Sequence, residues 1–134
     1  MPAAHFTEPT TSYWQTLLAP GAVARPDPPW QFAYPAVLPD GRVLKLPIRA
    51  LAATPDHAVA SLLLNQASLA VVDTLGEMLA ASVAGLGATR VVGLPTLGLT
   101  LASVVARELG HARYLPMGYS RKFWYDEALS APVS

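Results

Sequence analysis

The chain contains no cysteine. Disulfide frameworks, thiolate zinc sites and cysteine nucleophiles are therefore all excluded as explanations of its function. The lack of cysteine fits a reducing compartment, and we predict a cytoplasmic location. The N-terminal residues MPAAHFTEPT also lack the basic start and apolar core that are typical of a secretory signal.

Charged residues are scarce and balanced, with nine basic and nine acidic residues among 134. A chain without net charge has no general field that attracts nucleic acid or an anionic membrane, so any anion site has to be local. The most apolar segment, residues 57–86, is interrupted by Asn65, Gln66, Asp73 and Glu77. We therefore expect neither nucleic acid nor a membrane as a partner.

Hydrophobic residues make up 52% of the chain, which is enough for a core at this length. Residues 1–54 form the first predicted unit. A short helix is predicted over residues 11–19, and four prolines within residues 20–29 indicate an extended linker. The segments WQFAYPAVL and RVLKLPI then flank an Asp40-Gly41 turn, which predicts a β-hairpin. Because Pro35 and Pro47 cannot donate to a ladder, we expect edge strands, or strands that leave the sheet early.

Residues 55–134 form the second predicted unit, which opens with a long helix from Pro55-Asp56 to about residue 84. Its apolar residues recur near the helical period at Val59, Leu62, Leu63, Leu69, Val72, Leu75, Leu79 and Val83. Asp73 and Glu77 stand one turn apart on this helix. A solvated or interface-facing edge explains this acidic pair better than a metal or acid–base site.

Residues 89–122 are the most informative segment. They contain a strand TRVVGL, a loop PTLG, a helix LTLASVVARELG, a strand ARYLPMGY and a basic pair. This order predicts an α/β fold with parallel strands, whose loops at residues 94–98 and 118–122 share one edge of the sheet. Unpaired N–H groups at the helix start bind anions. Neither GxGxxG nor GxxxxGK[ST] is present, which argues against a nicotinamide site and a P-loop.

The order VVGLPTLGLTLASVVARELG and then YLPMGYSRKFWYDEALSAPVS resembles the first half of the core of a type I phosphoribosyltransferase, over about residues 60–134. The resemblance implies a partial Rossmann-like core with flanking helices, in which a hairpin such as that of residues 1–54 forms a hood. It implies that Pro95, Thr96, Leu97 and Gly98 hold pyrophosphate. It also implies that the basic pair, Arg121 and Lys122, opens a mobile catalytic loop.

The family transfers ribose 5-phosphate from phosphoribosyl pyrophosphate to a nitrogenous base in nucleotide salvage or synthesis. The resemblance therefore implies these two substrates, a Mg2+ cofactor whose ligands are not in this chain, and a homo-oligomer. The acceptor base stays open among adenine, xanthine, orotate and others.

The family's most specific motif is an apolar strand that ends in two acidic residues before a Thr/Gly-rich loop, and it does not occur in this sequence. We therefore expect these 134 residues to be the N-terminal part of a longer polypeptide. The chain alone would then be inactive, and the C-terminal half of the fold or a second chain would complete the site. The alternative is a non-catalytic module on the same fold that binds a nucleotide or a phosphoribosyl ligand and has a regulatory role.

Aromatic residues leave two further interpretations open. Trp30, Phe32 and Tyr34 share one face of their strand, where they form ordinary core or stack on the base. Tyr119 and Trp124 are predicted near the substrate or an interface. The three histidines, His5, His57 and His111, lack the spacing of metal ligands, so no metal-binding residues are predicted in this chain.

Overall fold

The computed structural model describes residues 13–23, 28–121, 123 and 126–129, and it shows a mixed α/β chain. A three-stranded antiparallel sheet is followed by two helices and a two-stranded parallel sheet. The elements are β1 (Ala33–Val37), β2 (Val43–Leu51), β3 (Thr54–Ala60), α1 (Leu69–Val83), β4 (Val92–Gly93), α2 (Leu97–Glu108) and β5 (Leu115–Pro116). Short 3-10 turns lie at Leu64–Gln66, Ala84–Leu86 and Glu127–Leu129.

The predicted hairpin is confirmed, since β1 pairs antiparallel with β2 across the Asp40-Gly41 turn. Gly41 has a φ of 86°, a conformation that glycine adopts without steric cost. The Asp40 carboxylate accepts hydrogen bonds from the Arg42 backbone N–H at 3.0 Å and from Arg42 Nε at 2.6 Å. The backbone N–H of Arg42, followed by its guanidinium, lowers the pKa of Asp40.

Pro47 lies where β2 exchanges one partner strand for another. The ladder between β1 and β2 ends at Ala33 and Pro47, and the ladder between β2 and β3 begins at Ile48 and Ala60. Since Pro47 has no N–H to donate, it fits at this exchange point. The expectation of an edge strand is confirmed for β1. It is wrong for β2, which is the central strand of the sheet. The first half of β2 pairs mainly with β1, and its second half pairs mainly with β3.

The helix predicted over residues 11–19 is wrong for its described part. Residues 13–15 form a turn, and Leu18 bridges to Val43 with hydrogen bonds of 2.8 and 2.9 Å. Trp14 has a φ of 58°, which is incompatible with a right-handed helix. The turn buries Tyr13 and Trp14, and Trp14 Nε1 donates to the Ser61 carbonyl at 3.0 Å. Tertiary contacts therefore override the helical pattern.

The long helix predicted from Pro55-Asp56 is also wrong in its first part, because residues 54–60 form β3 and α1 begins only at Leu69. The sequence suggests Asp56 as the cap of the predicted helix, but the N-cap of α1 is Ser68. Its Oγ accepts a hydrogen bond from the Val71 N–H at 3.2 Å and donates one to the Gln15 carbonyl at 2.8 Å. The domain boundary predicted at residues 54 and 55 thus lies at the start of β3, which pairs with β2.

The two helices pack against each other at a point where α1 has no side chain. A Cβ added to Gly76 would lie 2.3 Å from Val104 Cγ1 and 2.7 Å from Val104 Cβ. Val104 therefore contacts the backbone of α1 directly. Buried residues of the two helices surround this crossing: Val71, Val72, Ala80, Ala102, Val105 and Ala106.

The helical segment Leu69–Leu86 has 18 residues with a mean hydropathy of 1.5, so by length and composition alone it is apolar enough to cross a membrane. It also contains Asp73 and Glu77, and it packs on α2. Helices in the core of soluble proteins meet the same criteria of length and hydropathy. The cytoplasmic location stays a prediction.

Candidate functional site

The predicted anion site lies at the carboxyl end of β4, where the chain turns directly into α2. Gly93 is the last residue of β4, and a Cβ added there would lie 3.0 Å from Ala102 Cβ and 3.2 Å from Leu99 Cα. Only glycine permits α2 to come this close to the strand end. The Gly93 backbone therefore sets the position of the loop at residues 94–96.

Backbone donors at the start of α2 are left without acceptors. Thr96 occupies the N-cap position, but its side chain does not cap the helix, and the first turn holds no acidic residue. The first hydrogen bond of this turn runs from the Leu99 N–H to the Thr96 carbonyl at 3.4 Å. Within the described part of the chain, the N–H groups of Leu97 and Gly98 find no acceptor. Such groups, together with the helix dipole, attract an anion.

Each of the four predicted pyrophosphate-binding residues is at least partly accessible. Thr96 is exposed, and Pro95, Leu97 and Gly98 are half-buried. The peptide bond between Pro95 and Thr96 is cis. A Cβ on Gly98 would meet Leu94 Cβ at an ordinary 3.7 Å. This part of the loop therefore has room for a side chain, unlike Gly93.

The two predicted loops leave the parallel sheet at the same edge. β4 and β5 are paired in parallel, with Gly93 opposite Pro116, and the Met117 N–H donates to the Gly93 carbonyl at 2.9 Å. The starts of the two loops are thus neighbours, as the sequence predicts. Tyr119 is 89% exposed and Arg121 is also exposed. Lys122 and Trp124 lie outside the described residues, so their predicted positions stay predictions.

The acidic pair on α1, Asp73 and Glu77, lies on the solvent-exposed side of the helix, where one member contacts α2. Asp73 forms an ion pair with Arg107 of α2 at 3.6 Å, and Glu77 is exposed. Among the described residues, no group of three or more His, Asp or Glu side chains is arranged to hold a metal ion. The described part of the chain therefore offers no ligand set for the magnesium that the resemblance implies.

The predicted aromatic face on the first strand is partly visible. The rings of Trp30 and Tyr34 meet edge to face with centroids 4.8 Å apart, so both lie on the same side of the chain. Trp30 is 40% exposed. The core and base-stacking interpretations of these rings both stay predictions.

Sequence reasoning missed a cleft at the opposite, amino-terminal edge of the parallel sheet. The cleft has a volume of about 100 Å³ and lies between the residues that lead into β4 and β5. Arg90, His111 and Arg113 line it with Thr89, Val91, Ala112 and Leu115. The available signal was a basic residue two positions before each strand, at Arg90 and Arg113.

Comparison with known proteins leaves the geometry as the basis for any assignment. No family model, no curated protein and no solved structure matches this chain.

Proposed function

We propose that the chain carries the pyrophosphate-binding part of a phosphoribosyltransferase-like site. The site acts in the transfer of ribose 5-phosphate from phosphoribosyl pyrophosphate to a nitrogenous base, as part of nucleotide metabolism. One observation supports this proposal above others. The N–H groups of Leu97 and Gly98, which find no acceptor within the described part of the chain, lie at the start of α2, directly after a short loop at the carboxyl end of a parallel strand.

The chemistry of the transfer explains why such donors matter. Displacement of pyrophosphate by a base nitrogen places the electrons of the breaking C–O bond on the leaving group, which gains negative charge. The backbone N–H groups of Leu97 and Gly98 are fixed donors that stabilise that charge without rearranging. Arg121 suits a bidentate contact with a phosphate, and Lys122 supplies a mobile point charge. Magnesium enters the proposal only as a counter-ion of the pyrophosphate.

The surface around the parallel strands supports a second component of the site. The large apolar residues there are exposed: Val92 by 50%, Leu94 by 61%, Leu115 by 39% and Met117 by 43%. Parallel sheets are normally covered on both faces, and open strand edges recruit further strands. We propose that the C-terminal half of the fold, or a second chain in a homo-oligomer, covers these residues. The same component would supply the acidic pair and Thr/Gly-rich loop that this sequence lacks.

A non-catalytic role is the second candidate. It is favoured because this sequence lacks the acidic pair and the Thr/Gly-rich loop that the transferase family uses to hold phosphoribosyl pyrophosphate. A module that binds a nucleotide or phosphoribosyl ligand needs only the anion-binding donors, whereas transfer also needs residues that grip the ribose and its phosphate. Neither role predicts pyrophosphate release from phosphoribosyl pyrophosphate by the chain alone, so release by the purified chain would contradict the view that the site is incomplete. The two roles are discriminated by the same assay, with a panel of bases, on the chain together with its second component. Release there favours transfer, and ligand binding without release favours the regulatory role.

The variant Gly98→Asp tests the anion site. A side chain fits at this position, and a carboxylate in the first turn of α2 interacts favourably with the positive end of the helix dipole. Folding should therefore be preserved. The same carboxylate repels pyrophosphate. We expect wild-type binding of magnesium pyrophosphate in the millimolar range or tighter, and a loss of about tenfold or more in the variant, measured by calorimetry.

Gly85→Asp is the matched control, because a Cβ on Gly85 meets nothing within 4 Å and the residue lies in the turn after α1, outside residues 95–98. It adds the same charge at a position that is not part of the proposed site, so its affinity should equal that of the wild type. Equal affinity of Gly98→Asp and Gly85→Asp would remove residues 95–98 from the site.

The basic pair has its own test. Replacing Arg121 and Lys122 together with Ala should weaken pyrophosphate binding, because both positive charges are lost, and the urea unfolding transition of the variant checks that folding is preserved. Lys45→Ala serves as the charge control, since Lys45 lies over the Tyr13 ring, with Nζ 5.7 Å from the centroid. Unchanged affinity in the double variant would exclude the pair from the site.

A further inference from the structure

We infer that the cleft at the amino-terminal edge of the parallel sheet is a second anion site, which binds the phosphate group of a small molecule. It is distinct from the loop at residues 95–98. That loop follows β4, whereas the cleft is formed by residues that precede β4 and β5.

The register of the sheet brings the two arginines of the cleft together. Val92 pairs with Leu115 in parallel, and Arg90 and Arg113 each stand two residues before this pair. The ladder continues toward them, because the Leu115 N–H donates to the Val91 carbonyl at 2.9 Å. Neighbouring strands are about 5 Å apart, so the backbone positions of the two arginines are close. Both residues line the same cleft.

The two guanidinium groups have no carboxylate partner in the part of the chain that the structure describes. Among the described residues, neither Arg90 nor Arg113 has an ion pair or a side-chain hydrogen bond. By contrast, Arg42 and Arg107 each pair with a carboxylate. Like charges on adjacent strands repel, and an anion between them turns that repulsion into attraction. Two planar guanidinium groups are suited to bidentate contacts with phosphate oxygens.

The size of the cleft limits the ligand to a small group. Its volume of about 100 Å³ holds several water molecules, since one water needs roughly 10–15 Å³. A phosphate group fits in this space, and a base or sugar attached to it would have to lie outside. His111 and Thr89 also line the cleft, and both residue types can form hydrogen bonds with a phosphate group. The lining therefore combines two guanidinium groups with two further polar side chains.

Titration of the wild-type chain with inorganic phosphate, followed by amide NMR, tests this inference. We expect saturable shifts at residues 89–91 and 111–115. Saturable shifts confined to residues 95–98 would support the anion site of the proposed function and overturn this one. The absence of saturable shifts at residues 89–91 and 111–115 would also overturn it, and this result is independent of the outcome at Gly98.

Arg90→Ala combined with Arg113→Ala should weaken phosphate binding by about tenfold or more, because both charge-assisted contacts are lost. Arg42→Ala combined with Arg107→Ala removes the same charge from positions outside the cleft, where Arg42 is half-buried and Arg107 is exposed, and it should leave the affinity unchanged. Equal losses in the two double variants would show a general charge effect and contradict a specific site. If the Arg90→Ala, Arg113→Ala variant does not fold, as shown by loss of amide chemical-shift dispersion, the residues that shift in the wild-type titration decide whether the cleft binds phosphate.

A parallel titration with glycerol phosphate identifies the source of the phosphate group. Tighter binding of the ester than of inorganic phosphate would assign the cleft to a phosphorylated metabolite. Equal affinities would assign it to free phosphate. Both results require the shifts at residues 89–91 and 111–115, so both support a phosphate site.

Discussion

Gly76→Ala is the substitution that most directly tests how the two helices pack. Alanine is the better helix former, and at an open helical position the change from glycine stabilises a protein by up to about 1 kcal/mol. At Gly76 the new methyl group would lie 2.3 Å from Val104 Cγ1 and 2.7 Å from Val104 Cβ. Carbon atoms pack at about 3.5–4.0 Å, so the helices would have to move apart by about 1 Å.

The size of the effect follows from these opposing contributions. Overpacking a buried contact costs about 1–3 kcal/mol, and Val104 is β-branched and stiff, so the upper end of that range applies. Subtracting the gain in helix propensity leaves a net destabilisation of about 2 kcal/mol. The close packing of α1 on α2 thus outweighs the intrinsic preference of the helix for alanine.

Urea unfolding followed by far-UV circular dichroism measures this loss. Gly85→Ala is the matched control, because nothing lies within 4 Å of its added Cβ, and it should leave stability unchanged or raise it by up to about 1 kcal/mol. Adding Val104→Ala to Gly76→Ala removes the 2.3 Å contact with Cγ1 and keeps the 2.7 Å contact with Cβ, so the two changes should show a favourable coupling of about 1 kcal/mol. A Gly76→Ala protein as stable as the wild type would refute the packing described here.

Two further substitutions test local features of the fold. Ser68→Ala removes the N-cap of α1 and its tie to the N-terminal segment, so unfolding in urea should show a loss of about 1–2 kcal/mol. Ser82→Ala, at an exposed position near the other end of the same helix, should be close to neutral, and equal effects would contradict the capping role. Asp40→Asn should lower stability at neutral pH, because the lowered pKa of Asp40 means that the ionised carboxylate stabilises the fold above its ordinary pKa. That stabilisation is lost as pH falls through the lowered pKa of Asp40. A difference in unfolding stability between the wild type and Asp40→Asn that persists in strong acid would therefore contradict the role of the Arg42 contact.

The elements that sequence reasoning predicted correctly are those with local causes. The Asp40-Gly41 turn needs only the residues on either side of it, and the order of β4, α2 and β5 follows from short apolar segments separated by glycine or proline. The position of the predicted anion loop follows from the same local pattern. These features required no knowledge of distant contacts.

The elements that were predicted wrongly depend on distant contacts. Ser68 caps α1 while it bonds to Gln15, which is 53 residues away in sequence. Trp14 leaves the helical conformation because its indole reaches Ser61, which is 47 residues away. β3 is exposed along its whole length, so no buried face distinguishes it from a helix in the sequence. The cleft was missed because Arg90 and Arg113 become neighbours only through the register of the parallel strands.

The exchange of partner strands at Pro47 makes the small sheet modular. β1 and β3 use different halves of β2, and the irregularity between Ala50 and Leu51 stays within the β3 half. A change of length or register in the β2–β3 connection can therefore be absorbed without disturbing the β1 ladder. The outer ribbon of this sheet is free to diversify in sequence and length, while the hairpin beside it keeps Val43 and Leu44 in the core.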